Sequence, residues 1–191
     1  MDTIRAFVAI EIDEPNKQKL SDLITQFKKS NTQIKWVTEN QMHLTLKFLG
    51  NIDGSLVPNI SEALKNISEN FTQFNIKLSK IGAFPNLQRP RVIWIGIDKG
   101  KENVILLANS VETALERLNF AKEKREFKTH LTLGRVKSLK NISGLTKIIS
   151  ETGLQFQDEI KIDKLILFQS TLTPKGAIYT PLAESYLTKP M

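Results

Sequence analysis

Residues 36–50 read WVTENQMHLTLKFLG, and residues 127–137 read FKTHLTLGRVK. The word HLTL stands in both, at 43–46 and 130–133, and His43 and His130 are the only histidines of the chain. The conformation of these words decides the fold. In a strand, alternate side chains leave opposite faces. Both leucines of each word then point to a core, while His43 with Thr45, and His130 with Thr132, point the other way together. A helix would not do this, because residues two apart do not share a helical face. Composition alone gives the second histidine roughly a one in a thousand chance of being followed by the same three residues. A single His-x-Thr on a strand is usually a half-buried polar pair, and the repetition is what asks for a shared task.

Working outward, each word lies on a strand that follows an amphipathic segment. Residues 4–12 (IRAFVAIEI) alternate and form a strand. Asp13 and Pro15 mark a helix start, and Leu20, Leu23, Ile24 and Phe27 carry that helix to about Lys29. A short strand covers 34–37, and the first HLTL strand covers 42–49 and ends at Gly50. Asn51, Asp53, Gly54 and Ser55 form a turn. Ile60, Ala63, Leu64 and Ile67 mark a second helix. One strand is expected over 73–81, a loop over AFPNLQRP, and a strand over VIWIGI at 92–97. Val104, Leu107, Ala108, Val111, Leu115 and Leu118 share a face of a helix over 101–119. The second HLTL strand spans 129–137, a helix 142–150, and strands 159–169 and 176–187 close the chain around a turn at Thr173–Gly176. The order predicts an α+β fold with mainly antiparallel sheet. The 191 residues suit one domain, or two small lobes with a common core. The two words stand almost half the chain apart, which makes an internal duplication plausible, though the halves share little else.

Composition removes several classes of function. There is no cysteine, so disulfides, thiolate metal sites and cysteine nucleophiles are excluded. No apolar run approaches a membrane span. The N-terminus begins a strand and does not resemble a signal peptide, so a cytoplasmic location is expected. The formal charge is +7, and residues 122–140 hold Lys122, Lys124, Arg125, Lys128, Arg135, Lys137 and Lys140 against Glu123 and Glu126. A positive field around the second HLTL suggests a phosphate-bearing partner.

Two imidazoles facing one site are a natural acid–base pair for phosphodiester chemistry. One can be neutral and the other protonated near pH 7. The threonine hydroxyls can hydrogen-bond non-bridging phosphate oxygens as charge grows there. A metal site is disfavoured by ligand count, with two histidines, no cysteine, and no carboxylate in the four residues after either histidine. Strict alternation would send Arg135 into the core. A bulge permitted by Gly134 would instead turn it to the site, where it could hold phosphate; a strand-end arginine in solvent is the equal alternative. Lys47 lies on the His43 face by alternation and is a weaker phosphate candidate. Phe7 shares a strand face with Arg5 and is a weak candidate for stacking on a base. Trp36 and Trp94 are expected in the core. Arg89 and Arg91 fit either a solvated turn or a second contact to a phosphate-bearing partner, and Tyr179 is left open.

These residues resemble the 2H phosphoesterase superfamily, and within it the bacterial and archaeal RNA 2′,3′-cyclic phosphodiesterases, also called 2′-5′ RNA ligases. The similar stretches are RAFVAIEI, WVTENQMHLTLKFLGNID at 36–53, IGAFPNLQRPRVIWIGI at 81–97, FKTHLTLGRVK at 127–137 and LILFQSTLTPKGAIYTPL at 165–182. The resemblance covers nearly the whole chain. It implies one domain over 1–191, with two lobes that each give one motif. Two antiparallel sheets would form a central cleft about a pseudo-twofold axis, with helices outside. It implies hydrolysis of RNA 2′,3′-cyclic phosphate ends, tRNA halves among them, to 2′-phosphomonoesters, with a possible reverse 2′-5′ ligation and no metal or nucleotide cofactor. By motif, His43 is the proton donor and His130 the proton acceptor. Thr45 and Thr132 steady the phosphoryl oxygens, and Arg135 binds phosphate. A pseudo-symmetric site permits the opposite donor and acceptor. A monomer is expected. Lys128-Thr129 stands where relatives often carry Arg-Pro, which alters local charge and strand entry. Two alternatives remain: an RNA-end-binding module with vestigial turnover, and a 2H enzyme acting on a small cyclic nucleotide or an ADP-ribose derivative.

Overall fold

The computed structural model describes residues 2–152, 158–174 and 176–190. Strand β1 spans Thr3–Glu11 and helix α1 Glu14–Lys28. The Asp13 carboxylate accepts from the Asn16 backbone N–H at 3.0 Å, and Pro15 occupies the first turn, so the helix starts where capping chemistry places it. Strand β2 (Ile34–Trp36) and a 3₁₀ turn lead to β3 (His43–Asp53). Helix α2 (Val57–Glu69), strands β4 (Phe74–Ile76), β5 (Leu78–Phe84) and β6 (Val92–Ile97), and helix α3 (Lys101–Glu116) follow. Then come β7 (His130–Val136), α4 (Ile142–Glu151), β8 (Ile160–Ile162), β9 (Lys164–Thr173) and β10 (Gly176–Tyr186).

Two four-stranded sheets carry the fold, in the orders β10-β9-β1-β3 and β2-β7-β6-β5, and a two-stranded sheet pairs β4 with β8. Every paired strand within them is antiparallel. The mixed α/β architecture with antiparallel sheets is the expected class. One continuous apolar cluster runs through the inner faces of both large sheets and all four helices, including Val8, Ile10, Leu20, Phe27, Leu64, Ile95, Leu107, Leu131 and Leu145. Among the described residues, no helix is long and apolar enough to cross a membrane.

Several boundaries differ from the sequence reading. The segment expected as one strand over 73–81 breaks at Lys77: β4 pairs with β8, whereas β5 pairs with β6. Uninterrupted alternation at Phe74, Ile76 and Leu78 hides a change of partner, since each half still needs one buried face. The strand expected over 159–169 is divided into β8 and β9 for the same reason. The first HLTL strand does not stop at Gly50 but runs to Asp53. Gly50 takes φ +72° at a register shift, with Ala6 opposite Gly50 and Phe7 opposite Phe48. The glycine thus supports a bulge inside the strand, not its end. Lys175, within the expected turn at Thr173–Gly176, lies outside the described residues.

Candidate active site

Both HLTL words open a strand, and each contains a bulge at its second leucine. In the first, Thr45 lies opposite Ala9 and Lys47 opposite Val8, so Leu46 is the extra residue. In the second, Thr132 lies opposite Trp94 and Gly134 opposite Ile93, so Leu133 is the extra residue. A bulge reverses the alternation beyond it. The face bearing His130 and Thr132 therefore continues at Arg135, which stands opposite Val92, and not at Gly134. The first strand does the same: the face bearing His43 and Thr45 continues at Phe48. Strands β3 and β7 belong to different sheets, yet they pack against each other.

The bulge that the sequence allows beside Gly134 thus turns Arg135 onto the histidine face. Gly134 has a second task. A Cβ there would come within 2.6 Å of Ile34 Cγ2 and 2.8 Å of Trp36 Cε3, so only glycine lets β2 approach β7 this closely.

The same geometry corrects Lys47. Alternation alone places it beside His43, but the bulge sends it to the core face opposite Val8. Its ammonium is buried there, 2.8 Å from Glu112 Oε2 and 2.9 Å from the Ala121 carbonyl oxygen. Those bonds occupy it structurally, and Lys47 is not a phosphate ligand.

Phe7 also takes a different part. It lies on the His43 face but is only 2% exposed, packed with Ala9, Ile166 and Phe168 in a small apolar cluster apart from the main core. Its ring centroid is 4.8 Å from His43, 5.3 Å from Phe168 and 5.0 Å from Tyr179. So buried a ring offers no open face for a base; it is the floor beneath His43. Tyr179, left open by the sequence, meets the His43 ring edge-on at 4.9 Å.

Around His130 the neighbours are Phe84, edge-on at 5.0 Å, and Trp94 at 6.4 Å. Trp94 departs from its expected place in the core. It lies on the His130 face instead, above Gly82 and Gly96: a Cβ on Gly82 would fall 2.3 Å from the indole. The signal for this is a glycine two residues beyond a tryptophan on one strand, and another opposite it on the next. Trp36 sits against Phe27 at 5.9 Å and packs on the main core, as expected.

Burial sets the electrostatics. Desolvation pushes the His43 imidazole down to about 4, opposed by a hydrogen bond to the Gln41 backbone. His130 is also lowered, first by desolvation and then by the positive charge of Arg135, against a supporting bond to the Lys128 backbone. That bond joins His130 Nδ1 to the Lys128 carbonyl oxygen at 2.6 Å. The carbonyl accepts from Nδ1–H, so the neutral ring keeps its Nε2 lone pair free. In each motif the histidine is held by the backbone two residues earlier.

Arg135 links the two groups. Burial raises the Tyr179 phenol, while the nearby Arg135 and Arg5 guanidiniums pull it partly back. The same guanidinium thus feels His130 on one side and, on the other, the tyrosine that touches His43. Lys35, opposite Arg135 in β2, reaches toward the turn that leads into β10: its Nζ would lie 3.9 Å from a Cβ on Gly176. Gln41 Nε2 donates to the Ala177 carbonyl oxygen at 2.7 Å, fastening the segment before His43 to β10. Among the described residues, Arg135 forms no ion pair and the Thr45 and Thr132 hydroxyls make no hydrogen bond. The two motifs thus offer two neutral imidazoles, two uncommitted hydroxyls and uncompensated positive charge, groups suited to an anion that exchanges protons. Among the described residues, no three His, Cys, Asp or Glu side chains gather as a metal site.

A site of this kind on paired antiparallel sheets defines a class. The family model described as LigT like phosphoesterase matches the chain twice, over residues 10–94 and 95–179, with one HLTL word in each match. The chain belongs to the LigT-like phosphoesterase family. It is 36% identical over 94% of its length, and 98% of the relative's, to a protein of Archaeoglobus fulgidus named RNA 2′,3′-cyclic phosphodiesterase. A protein of the same name from Methanocaldococcus jannaschii is 36% identical over 95% of this chain and 99% of its own. Among solved structures, TT0787 of Thermus thermophilus superposes with a TM-score of 0.79 at 25% identity, covering 96% of this chain and 98% of that one. E. coli LigT in its apo form has the same fold, with a TM-score of 0.78 at 22% identity over 98% and 99% of the two chains.

Proposed function

We propose that this protein hydrolyses the 2′,3′-cyclic phosphate at RNA ends and leaves a 2′-phosphomonoester, using His43 and His130 as a metal-independent acid–base pair. The observation that carries this reading is the equivalent placement of two imidazoles, each at the start of a bulged strand, with Arg135 near both groups. The names of the full-length relatives supply the substrate class.

In the hydrolytic step, His130 Nε2 takes a proton from water as the water oxygen attacks phosphorus. The bond from phosphorus to the 3′-oxygen breaks, and His43 delivers a proton to that oxygen. The products are a 3′-hydroxyl and a 2′-phosphate. Negative charge grows on the non-bridging oxygens, where Thr45 and Thr132 hydroxyls and the Arg135 guanidinium meet it. Both rings are neutral in the free protein at pH 7, so the donor takes up its proton as the anionic substrate arrives beside it. Attack by a 5′-hydroxyl in place of water uses the same groups and joins two RNA ends through a 2′-5′ bond. The cellular RNA on this reading is a cleaved strand such as a tRNA half.

The test is product analysis on a cyclic-phosphate-ended oligonucleotide with and without EDTA. A 2′-phosphate formed at the same rate in both supports the reading. A 3′-phosphate product, or loss of turnover in EDTA, overturns it.

A further inference from the structure

The loop between α3 and β7 lies beside the middle of β3. A groove of about 550 Å³ runs between them, lined on one side by Phe48, Leu49 and Gly50 and on the other by Lys122, Glu123, Lys124 and Arg125. We propose that this groove holds the single-stranded RNA upstream of the reactive end, so that an oligonucleotide is bound in preference to a mononucleotide; the inference rests on the phosphodiesterase reading above.

Three independent observations support it. Phe48 is 57% exposed, the aromatic that the bulge places where the second motif has Arg135. An open ring beside cations is the arrangement that takes a stacked base next to its phosphate. The groove also meets the catalytic face: Phe48 lies 6.0 Å from Phe7, and Phe7 lies 4.8 Å from His43, so a strand leaving His43 reaches the groove within two ring widths.

Finally, the basic loop is fastened in place. Lys47, buried behind Phe48, donates to the Ala121 carbonyl oxygen at 2.9 Å and pairs with Glu112 at 2.8 Å. The other oxygen of Glu112 accepts from the Glu123 backbone N–H at 2.8 Å. A buried staple therefore presents the exposed cations of this loop to the groove. Lys122 faces Glu116 at 3.4 Å, while Lys124 and Arg125 form no ion pair among the described residues. Charge complementarity favours a polyanion, and the exposed ring favours one with bases.

The test compares a cytidine 2′,3′-cyclic monophosphate with an octanucleotide ending in a 2′,3′-cyclic phosphate, in wild type and in Lys124→Glu/Arg125→Glu. The double variant should keep mononucleotide turnover and lose about tenfold or more in kcat/KM on the octanucleotide, through KM. Its octanucleotide binding should also depend less steeply on salt. Equal loss on both substrates, or no loss on the octanucleotide, overturns the groove. Binding of a fluorescent 3′-phosphate octanucleotide by anisotropy, in wild type, the double variant and Phe48→Ala, gives an answer that does not need turnover. Unchanged affinity in both variants rejects the groove even if hydrolysis is found. Weakened affinity with no hydrolysis by wild type keeps the groove and rejects the phosphodiesterase.

Discussion

The two histidines are not alike in their surroundings. His43 sits on an apolar floor of Phe7, Phe168 and Tyr179, whereas His130 is wedged against Phe84 and Trp94 with Arg135 nearby. Both environments disfavour the charged ring, and His43 falls to about 4 from 6.5. The consequence is a sign for the pH profile. The base must be neutral, which sets the acidic limb; the acid must be protonated, which sets the alkaline limb. In kcat/KM, which reports the free enzyme, the maximum lies midway between the two values, and both lie below 6.5. A bell with its maximum below pH 6.5 is therefore expected, whichever ring donates. Bound phosphate stabilises the imidazolium, so the kcat profile should be displaced to higher pH. A kcat/KM maximum above about pH 7.5 would show that the rings are not desolvated as described. That each histidine shares a strand face with the threonine two residues on was legible from alternation, His43 with Thr45 and His130 with Thr132. Phe168, Tyr179, Phe84 and Arg5 were not, because they come from other strands and no local pattern encodes which strands become neighbours.

At the scale of elements, the strands and helices follow from periodicity and capping, and the bulges do not. A bulge adds one residue without altering composition, so the chain reads as an unbroken strand until its partner is known. That single omission explains the fate of Lys47: one extra residue at Leu46 moves it to the opposite face. Gly134 betrays the second bulge because a glycine in a strand interior calls for a reason. The Lys47–Glu112 pair that results is a liability if broken. Glu112→Gln should leave the nearly inaccessible Lys47 ammonium without its counter-charge and cost about 3 kcal/mol or more. Urea unfolding measures this directly. Replacing both partners with apolar residues, as in Lys47→Met/Glu112→Leu, should recover most of the loss. A Glu112→Gln protein as stable as wild type would mean that the ion pair does not hold the α3–β7 loop to β3.

At the scale of the molecule, two sheets share one core and carry the two motifs on strands that touch. The family model matches both halves in turn, although outside HLTL they share few residues. Similar backbone demands, a strand opening with histidine and bulging at the second leucine, survive where sequence likeness does not. Function on this account belongs to neither half alone, since each supplies one imidazole and one hydroxyl to a single phosphate. The most direct test is steady-state turnover of a 2′,3′-cyclic nucleotide by His43→Ala and by His130→Ala, with circular dichroism checking that both variants fold. The account predicts that kcat falls by about 10²-fold or more in each. Wild-type turnover by either folded variant would contradict it.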